Sequence, residues 1–156
     1  MGRSVIFKAY QELAEFRYRI VCYLKKADQS ARAAGLEPQQ YLLLLEMRGL
    51  PADREPSIQA LAERLQVRHH SAVGLIDRLE RRGLVRRERA KGDRRRVLVR
   101  LTARGNVVLG KVARERIADL RTMAPALVRA LSAIVSLGNG QAAGGAAGNR
   151  TKKRGN

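Results

Sequence analysis

The chain has 156 residues, enough for one domain with a hydrophobic core and too few for two independent ones. Its 32 Lys and Arg against 14 Asp and Glu give a formal net charge of +18, which predicts a polyanionic partner. We find no apolar span long enough to cross a bilayer and no secretory signal, so we expect a cytoplasmic protein without a membrane partner. The single cysteine, Cys22, excludes an internal disulfide, and no metal or other cofactor is expected.

Two helices are predicted in the first third of the chain. Apolar residues recur at helical spacing from Val5 to about Ala34, with Arg and Lys on the other face, and Gly35 is expected to end this helix. Pro38 can begin the second helix because its missing N–H costs nothing in the first turn. That helix is rich in leucine, is expected to be mostly buried, and ends at Gly49.

Two shorter helices follow. Ser57 is expected to cap the first of them, which has apolar residues at i, i+3, i+4 and i+7, namely Ile58, Leu61, Ala62 and Leu65. The next helix is predicted from about Arg68 to Arg82, with cations in its last turn and Gly83 as a left-handed stop.

A hairpin and a long helix complete the predicted fold. Segments 84–89 and 96–101 read as antiparallel strands around a basic tip, residues 90–95. Thr102 is expected to cap a helix that continues to Leu137, with an adjustment at Pro125. Residues 138–156 are rich in Gly, Ala and Asn, and we expect a disordered basic tail there.

Two helices with a tight break, followed by a hairpin, form a winged helix-turn-helix. The second helix can enter a DNA major groove about 12 Å wide, and the hairpin, or wing, can reach neighbouring phosphates. Residues 64–104 hold 14 Lys and Arg and only 4 Asp and Glu, so the positive charge is concentrated there. The predicted fold class is therefore mainly α with a small β-hairpin wing, and the predicted partner is double-stranded DNA.

Four segments resemble the multiple-antibiotic-resistance regulator (MarR) family of bacterial regulators. Residues 79–85, Leu-Glu-Arg-Arg-Gly-Leu-Val, resemble the end of its recognition helix. Asp93-Arg94-Arg95 and residues 101–105 resemble its wing-to-helix signature, and residues 36–41 resemble the entry into its second helix. The resemblance covers roughly residues 5–137.

The resemblance implies a homodimer with a DNA-binding lobe at about 38–101 and dimerisation helices at about 5–34 and 103–137, within a domain 1–137. The amphipathic pattern alone supports a partner, because two long apolar helix faces exceed what one small lobe can cover. A twofold copy is the simplest cover, with half-sites roughly 10 bp apart.

The predicted DNA-binding residues fall in two groups. The recognition helix offers side chains on or near its N-terminus and polar face: Arg68, His69, His70, Ser71, Gly74 and Arg78. The resemblance places Arg95 where the family inserts an arginine into the minor groove, with Asp93 bracing it. Arg94 and Arg96 would contact phosphates. We also expect Arg86 and Arg87 to contact phosphates, because no balancing acid lies at helical spacing.

Other readings of single residues stay open at the sequence level. Adjacent His69 and His70 point in different directions on a helix, which favours DNA contact or exposure over a metal site. Cys22 is either structural or, by loose resemblance to peroxide-responsive family members, a sensor. The four tyrosines are either core residues or the lining of an aromatic-acid pocket.

No phosphate-binding loop, nucleophile elbow or paired-carboxylate pattern is present, so we expect no enzyme. Our first hypothesis is a repressor on a palindromic operator, released by a small-molecule effector. The rival is an architectural, nucleoid-associated protein that coats DNA through charge. An RNA-binding protein ranks last, because aromatic-rich strands that stack single-stranded bases are missing.

Overall fold

The computed structural model describes residues 3–90 and 93–142, with side chains for residues 6–90, 93 and 96–137. The elements in chain order are five helices, α1 to α5, with the strands β1 and β2 before the last helix. Their bounds are α1 Arg3–Ala33, α2 Pro38–Gly49, α3 Ile58–Leu65, α4 His69–Arg81, β1 Val85–Ala90, β2 Asp93–Leu101 and α5 Ala103–Ala142. The predicted fold class is confirmed.

The hydrophobic core lies in residues 26–118, one of two compact units of the chain. It is formed where α2, α3, α4 and the hairpin pack together with the end of α1 and the start of α5. Its largest fully buried side chains are Leu36, Leu43, Leu44, Leu61, Ile76, Leu79, Leu84, Val85, Val99 and Val112. This unit therefore has a continuous core that can hold α4 in a fixed orientation.

The breaks between helices follow the predicted local chemistry. Gly35 and Gly83 both have positive φ, at 74° and 66°, as the left-handed ends of α1 and α4 require. Ser57 caps α3, since its Oγ accepts a hydrogen bond from the Ala60 N–H at 3.2 Å. Gln66 ends α3 in the left-handed region without being a glycine. This tight αL break places α4 directly after α3.

The hairpin is longer than its sequence pattern indicated. β2 begins at Asp93, whereas the alternation of apolar residues placed its start at Arg96. The strands pair from Val85 opposite Leu101 to Ala90 opposite Asp93, with a register shift next to Ala90. Backbone pairing thus extends into the arginine-rich tip, because strand hydrogen bonds do not depend on side-chain polarity.

The other unit comprises the start of α1 and the end of α5, described here for residues 3–25 and 119–142. Both helices line a cleft of about 280 Å³ that includes Glu15 and Arg19 of α1 and Arg129 of α5. α5 is one continuous helix through Pro125 and extends five residues beyond the predicted end at Leu137. The rest of the predicted disordered tail, residues 143–156, lies outside the described residues.

Large apolar side chains are exposed along α1 and α5. The exposed fraction is 56% for Leu13, 53% for Leu24, 48% for Leu131 and 55% for Val135. By length and composition alone, α5 contains within residues 103–137 an 18-residue window apolar enough to cross a bilayer, which corrects the sequence-based statement that no such span exists. The same 35 residues carry eight Lys, Arg, Asp and Glu side chains, so only an 18-residue window within them is this apolar. These faces remain uncovered within the single chain.

Gly105 provides a test of the packing between α5 and the hairpin. A Cβ on Gly105 would lie 2.0 Å from the backbone carbonyl oxygen of Leu84, so α5 or the hairpin must shift. We predict that Gly105→Ala lowers the free energy of unfolding by about 2–4 kcal/mol, as overpacking against backbone does. Chemical denaturation measures this change.

Gly110→Ala is the matched control, because its Cβ would meet only the Arg114 side chain at 3.6 Å. This second substitution is expected to stabilise α5 by roughly 0.5–1 kcal/mol through helix propensity. Equal effects of the two substitutions would contradict the close approach at Gly105.

Candidate nucleic-acid interface

The first turn of α4 faces solvent. Arg68 is the N-cap residue, with extended backbone angles and no side-chain cap, and Arg68, His69, His70 and Ser71 are all exposed. No acid occupies this turn, and the first N–H groups of a helix lack intrahelical partners. The positive end of the helix dipole is therefore open to an anion such as a phosphate.

The outer face of α4 borders an open cavity of about 510 Å³. Its lining includes four of the six predicted recognition-helix residues, His70, Ser71, Gly74 and Arg78, together with residues of α2 and Val67. The inner face of α4 is buried through Ala72, Leu75, Ile76 and Leu79. Because apolar residues hold the inner face, the residues predicted to meet DNA share the outer one.

Arg87 connects the start of the wing to α4. Its Nη2 donates to Oδ1 of Asp77 at 2.6 Å, and its Nη1 donates to Oε2 of Glu80. The backbone N–H of Arg87 donates to the other oxygen of Glu80 at 2.9 Å. Burial lowers the pKa of Arg87, but hydrogen bonds and charge from the two carboxylates outweigh it and raise the pKa above its ordinary value.

This arrangement overturns the premise that no acid balances Arg87 and favours an ion pair over the predicted phosphate contact. The acids lie 7 and 10 residues away in sequence, outside the helical spacing at which balancing charges were expected. Arg86 is also paired, with Glu88 at 2.5 Å, and Glu88 lies 3.6 Å from Arg100. The signal that could have found the Arg87 contact is the i, i+3 spacing of Asp77 and Glu80, which places both on one side of α4.

The described part of the wing tip carries one more internal ion pair. Arg96, predicted to contact phosphate, donates from Nη2 to Oε2 of Glu55 at 2.6 Å. Both side chains are about half exposed, 54% and 49%, so a phosphate could replace the carboxylate at small cost. Asp93 is exposed at the start of β2, and the side chains of Arg94 and Arg95 lie outside the described residues.

A second arginine fixes the far end of α4. Arg82, the C-cap residue, donates to Oε1 of Gln40 at 2.9 Å and to the carbonyl oxygen of Gly35 at 2.7 Å. Gln40 is buried and also accepts a hydrogen bond from the Glu37 N–H, within a capping box at the start of α2. From sequence, Arg82 is only one of the cations in the last turn of α4, because its partners lie 42 and 47 residues away and give no local signal.

The remaining candidate residues do not join this surface. Tyr41 is buried in the core, whereas Tyr10 and Tyr18 are 67% and 58% exposed, so core packing explains only some of the tyrosines. A side-chain hydrogen bond with Cys22 raises the pKa of Tyr18 above its ordinary value, and Cys22 is half-buried. Within the described residues, no group of three or more His, Cys, Asp and Glu side chains could hold a metal ion.

Comparison with known proteins agrees with this geometry. Residues 34–96 match the sequence model of the MarR family, a segment that contains α2, α3, α4, β1 and the start of β2. The search of curated proteins found no match for this sequence.

Solved structures of MarR family proteins share the fold. A MarR family transcriptional regulator from Streptomyces coelicolor in complex with DNA is 25% identical, with 71% of this chain and 69% of that chain covered and a TM-score of 0.59. A mutant of MepR from Staphylococcus aureus, bound to an oligodeoxyribonucleotide, is 23% identical, with coverages of 74% and 82% and a TM-score of 0.61. MepR of the same organism is also similar, at 19% identity, coverages of 92% and 98%, and a TM-score of 0.64.

Both the sequence match and the structural likeness include the winged helix-turn-helix. This motif contains the exposed turn of α4 and the wing. Residues 34–96 therefore match the MarR family model, and the fold is similar to that of solved MarR family transcription regulators.

Proposed function

We propose that the chain is a repressor that binds a palindromic operator as a homodimer. The observation that carries this proposal is the exposed, acid-free first turn of α4, whose opposite face is held in the core. Arg68, His69, His70, Ser71, Gly74 and Arg78 would meet base edges and phosphates of the major groove. Arg94, Arg95 and Arg96 of the wing would meet the adjacent backbone and minor groove, with Asp93 bracing Arg95.

The exposed apolar faces of α1 and α5 support a second copy of the chain as partner. Leu13, Leu24, Leu131 and Val135 are each about half exposed, and apolar stripes of this length are costly in water. A twofold copy presents the same stripes and covers both sets at once. The same pairing accounts for the apolar length of α5 without a bilayer. We expect the protein in the cytoplasm, at the nucleoid when it is bound to DNA.

A dimer also explains the proposed control by a small molecule, phenolic or other. Two recognition helices fit successive major grooves only at one spacing, with half-site centres roughly 10 bp apart. A ligand that binds more tightly to the state with another spacing shifts the population toward it and releases the operator.

Selection of bound sequences from a random DNA pool tests the proposed function. We expect a palindrome with two half-sites and a specificity ratio of about 10³ or more over random DNA. An asymmetric single half-site would contradict the dimer. Binding without sequence preference would favour the architectural alternative, in which the net charge alone holds DNA.

Arg95→Ala tests the role of the wing. If Arg95 inserts into the minor groove, we predict at least a roughly tenfold weaker affinity for the selected operator at fixed salt. Arg114→Ala removes the same charge from the exposed surface of α5 and should change affinity little. An effect of Arg95→Ala below about twofold would remove the wing from the binding surface.

Leu131→Glu tests the dimer. A carboxylate on the apolar stripe of α5 would lose solvation in the interface, so sedimentation should show a shift from dimer to monomer. Ser136→Glu adds the same charge at an exposed position on another side of the helix and should leave the dimer intact. A wild-type monomer at micromolar concentration, or a dimer in both variants, would contradict the assigned interface.

A further inference from the structure

Acidic residues are rare where the chain is proposed to meet DNA, and their positions are informative. Between residues 64 and 104 there are only four: Asp77, Glu80, Glu88 and Asp93. A carboxylate on a DNA-binding surface repels phosphates and lowers affinity through charge alone. Two of the four, Asp77 and Glu80, nevertheless lie on α4 itself. A structural role would offset the loss of DNA affinity that their charge causes.

Asp77 and Glu80 both bind Arg87, and through it they hold β1 against α4. The guanidinium uses separate nitrogens for the two acids, and Glu80 also accepts the backbone N–H of Arg87. Glu80 thus accepts hydrogen bonds from both the side chain and the main chain of Arg87. This fixes the strand in position and direction, which a single ion pair between flexible side chains does not do.

The location of Arg87 makes this contact important for the wing. Arg87 lies in β1 opposite Val99 of β2, and Val99 is fully buried in the core. On the other side of the hairpin, Glu88 pairs with Arg86 and Arg100, which belong to the hairpin as well. The Glu80 contact therefore joins the hairpin to α4, whereas the Glu88 contacts stay within the hairpin.

We propose that Glu80, with Asp77 and Arg87, is a positioning residue that sets the wing relative to the recognition helix, so that both reach DNA together. The inference rests on the proposed DNA-binding function and adds a specific residue to it. None of the three side chains needs to touch DNA. Their contribution is to remove freedom from the wing before binding, which lowers the ordering cost of the complex.

Glu80→Gln tests the proposal through the sign of its effect. Charge alone predicts tighter DNA binding, because a negative group leaves the binding surface. Positioning predicts the opposite: we expect about fivefold weaker binding to the selected operator, because a neutral amide holds the guanidinium less strongly. Binding of a fluorescent operator duplex at fixed salt measures the difference.

Glu88→Gln is the matched control, with the same change in charge one residue beyond Arg87. We expect unchanged or slightly tighter binding, because its partners Arg86 and Arg100 are released without loosening the wing from α4. Equal effects of the two substitutions, in either direction, would overturn the proposal. If Glu80→Gln proves too unstable to assay, Arg87→Lys is the second variant, because it keeps the charge and loses the two-nitrogen contact. Unchanged operator affinity in Arg87→Lys would also overturn the proposal.

Amide hydrogen exchange without DNA separates this proposal from the proposed function. Glu80→Gln should speed exchange in residues 85–90 and 96–101, and Glu88→Gln should leave α4-facing amides unchanged. If the wild-type chain shows no operator preference, the proposed function fails, and the exchange result alone decides whether Glu80 positions the wing. Unchanged exchange in Glu80→Gln would overturn the positioning role even if the operator is confirmed.

Discussion

The burial of one face of α4 is the constraint on which the rest of the structure depends. Ala72, Leu75, Ile76 and Leu79 are held in the core, and this leaves a single orientation for the polar face of the helix. The exposed turn at Arg68 to Ser71 follows from that orientation, since α4 starts directly after the αL break at Gln66. A substitution that loosened the packing of the inner face would also displace the side chains of the outer face, because tightly packed cores transmit small shifts.

Polar contacts then fix the C-terminal half of α4 on two sides. At its C-terminal end, Arg82 binds the backbone at Gly35 and the buried side chain of Gln40. In the last two turns of α4, Asp77 and Glu80 hold Arg87 of the wing. Both arrangements use arginine, whose planar fork makes several directed hydrogen bonds while staying charged. The high arginine content therefore serves two purposes, internal bracing and a positive surface.

Local chemistry explains which parts were predictable from sequence. Turns and caps at Gly35, Ser57 and Gly83 depend on their own residues, and the helical periods depend on near neighbours, so these predictions were confirmed. The pairing of Arg87 depends on how β1 packs against α4, and no pattern among neighbouring residues in the sequence encodes that packing. The start of β2 at Asp93 was missed for a related reason, because backbone pairing and not apolar alternation extends the hairpin.

The exposed turn of α4 and the wing are proposed as the surface that meets duplex DNA. Amide hydrogen exchange of the wild-type chain with and without a bound duplex tests this most directly, since it reports protection along the whole backbone. We predict that added protection is concentrated in residues 68–78 and 93–96. Protection confined to residues 138–156, or spread evenly over α1 and α5, would contradict the account.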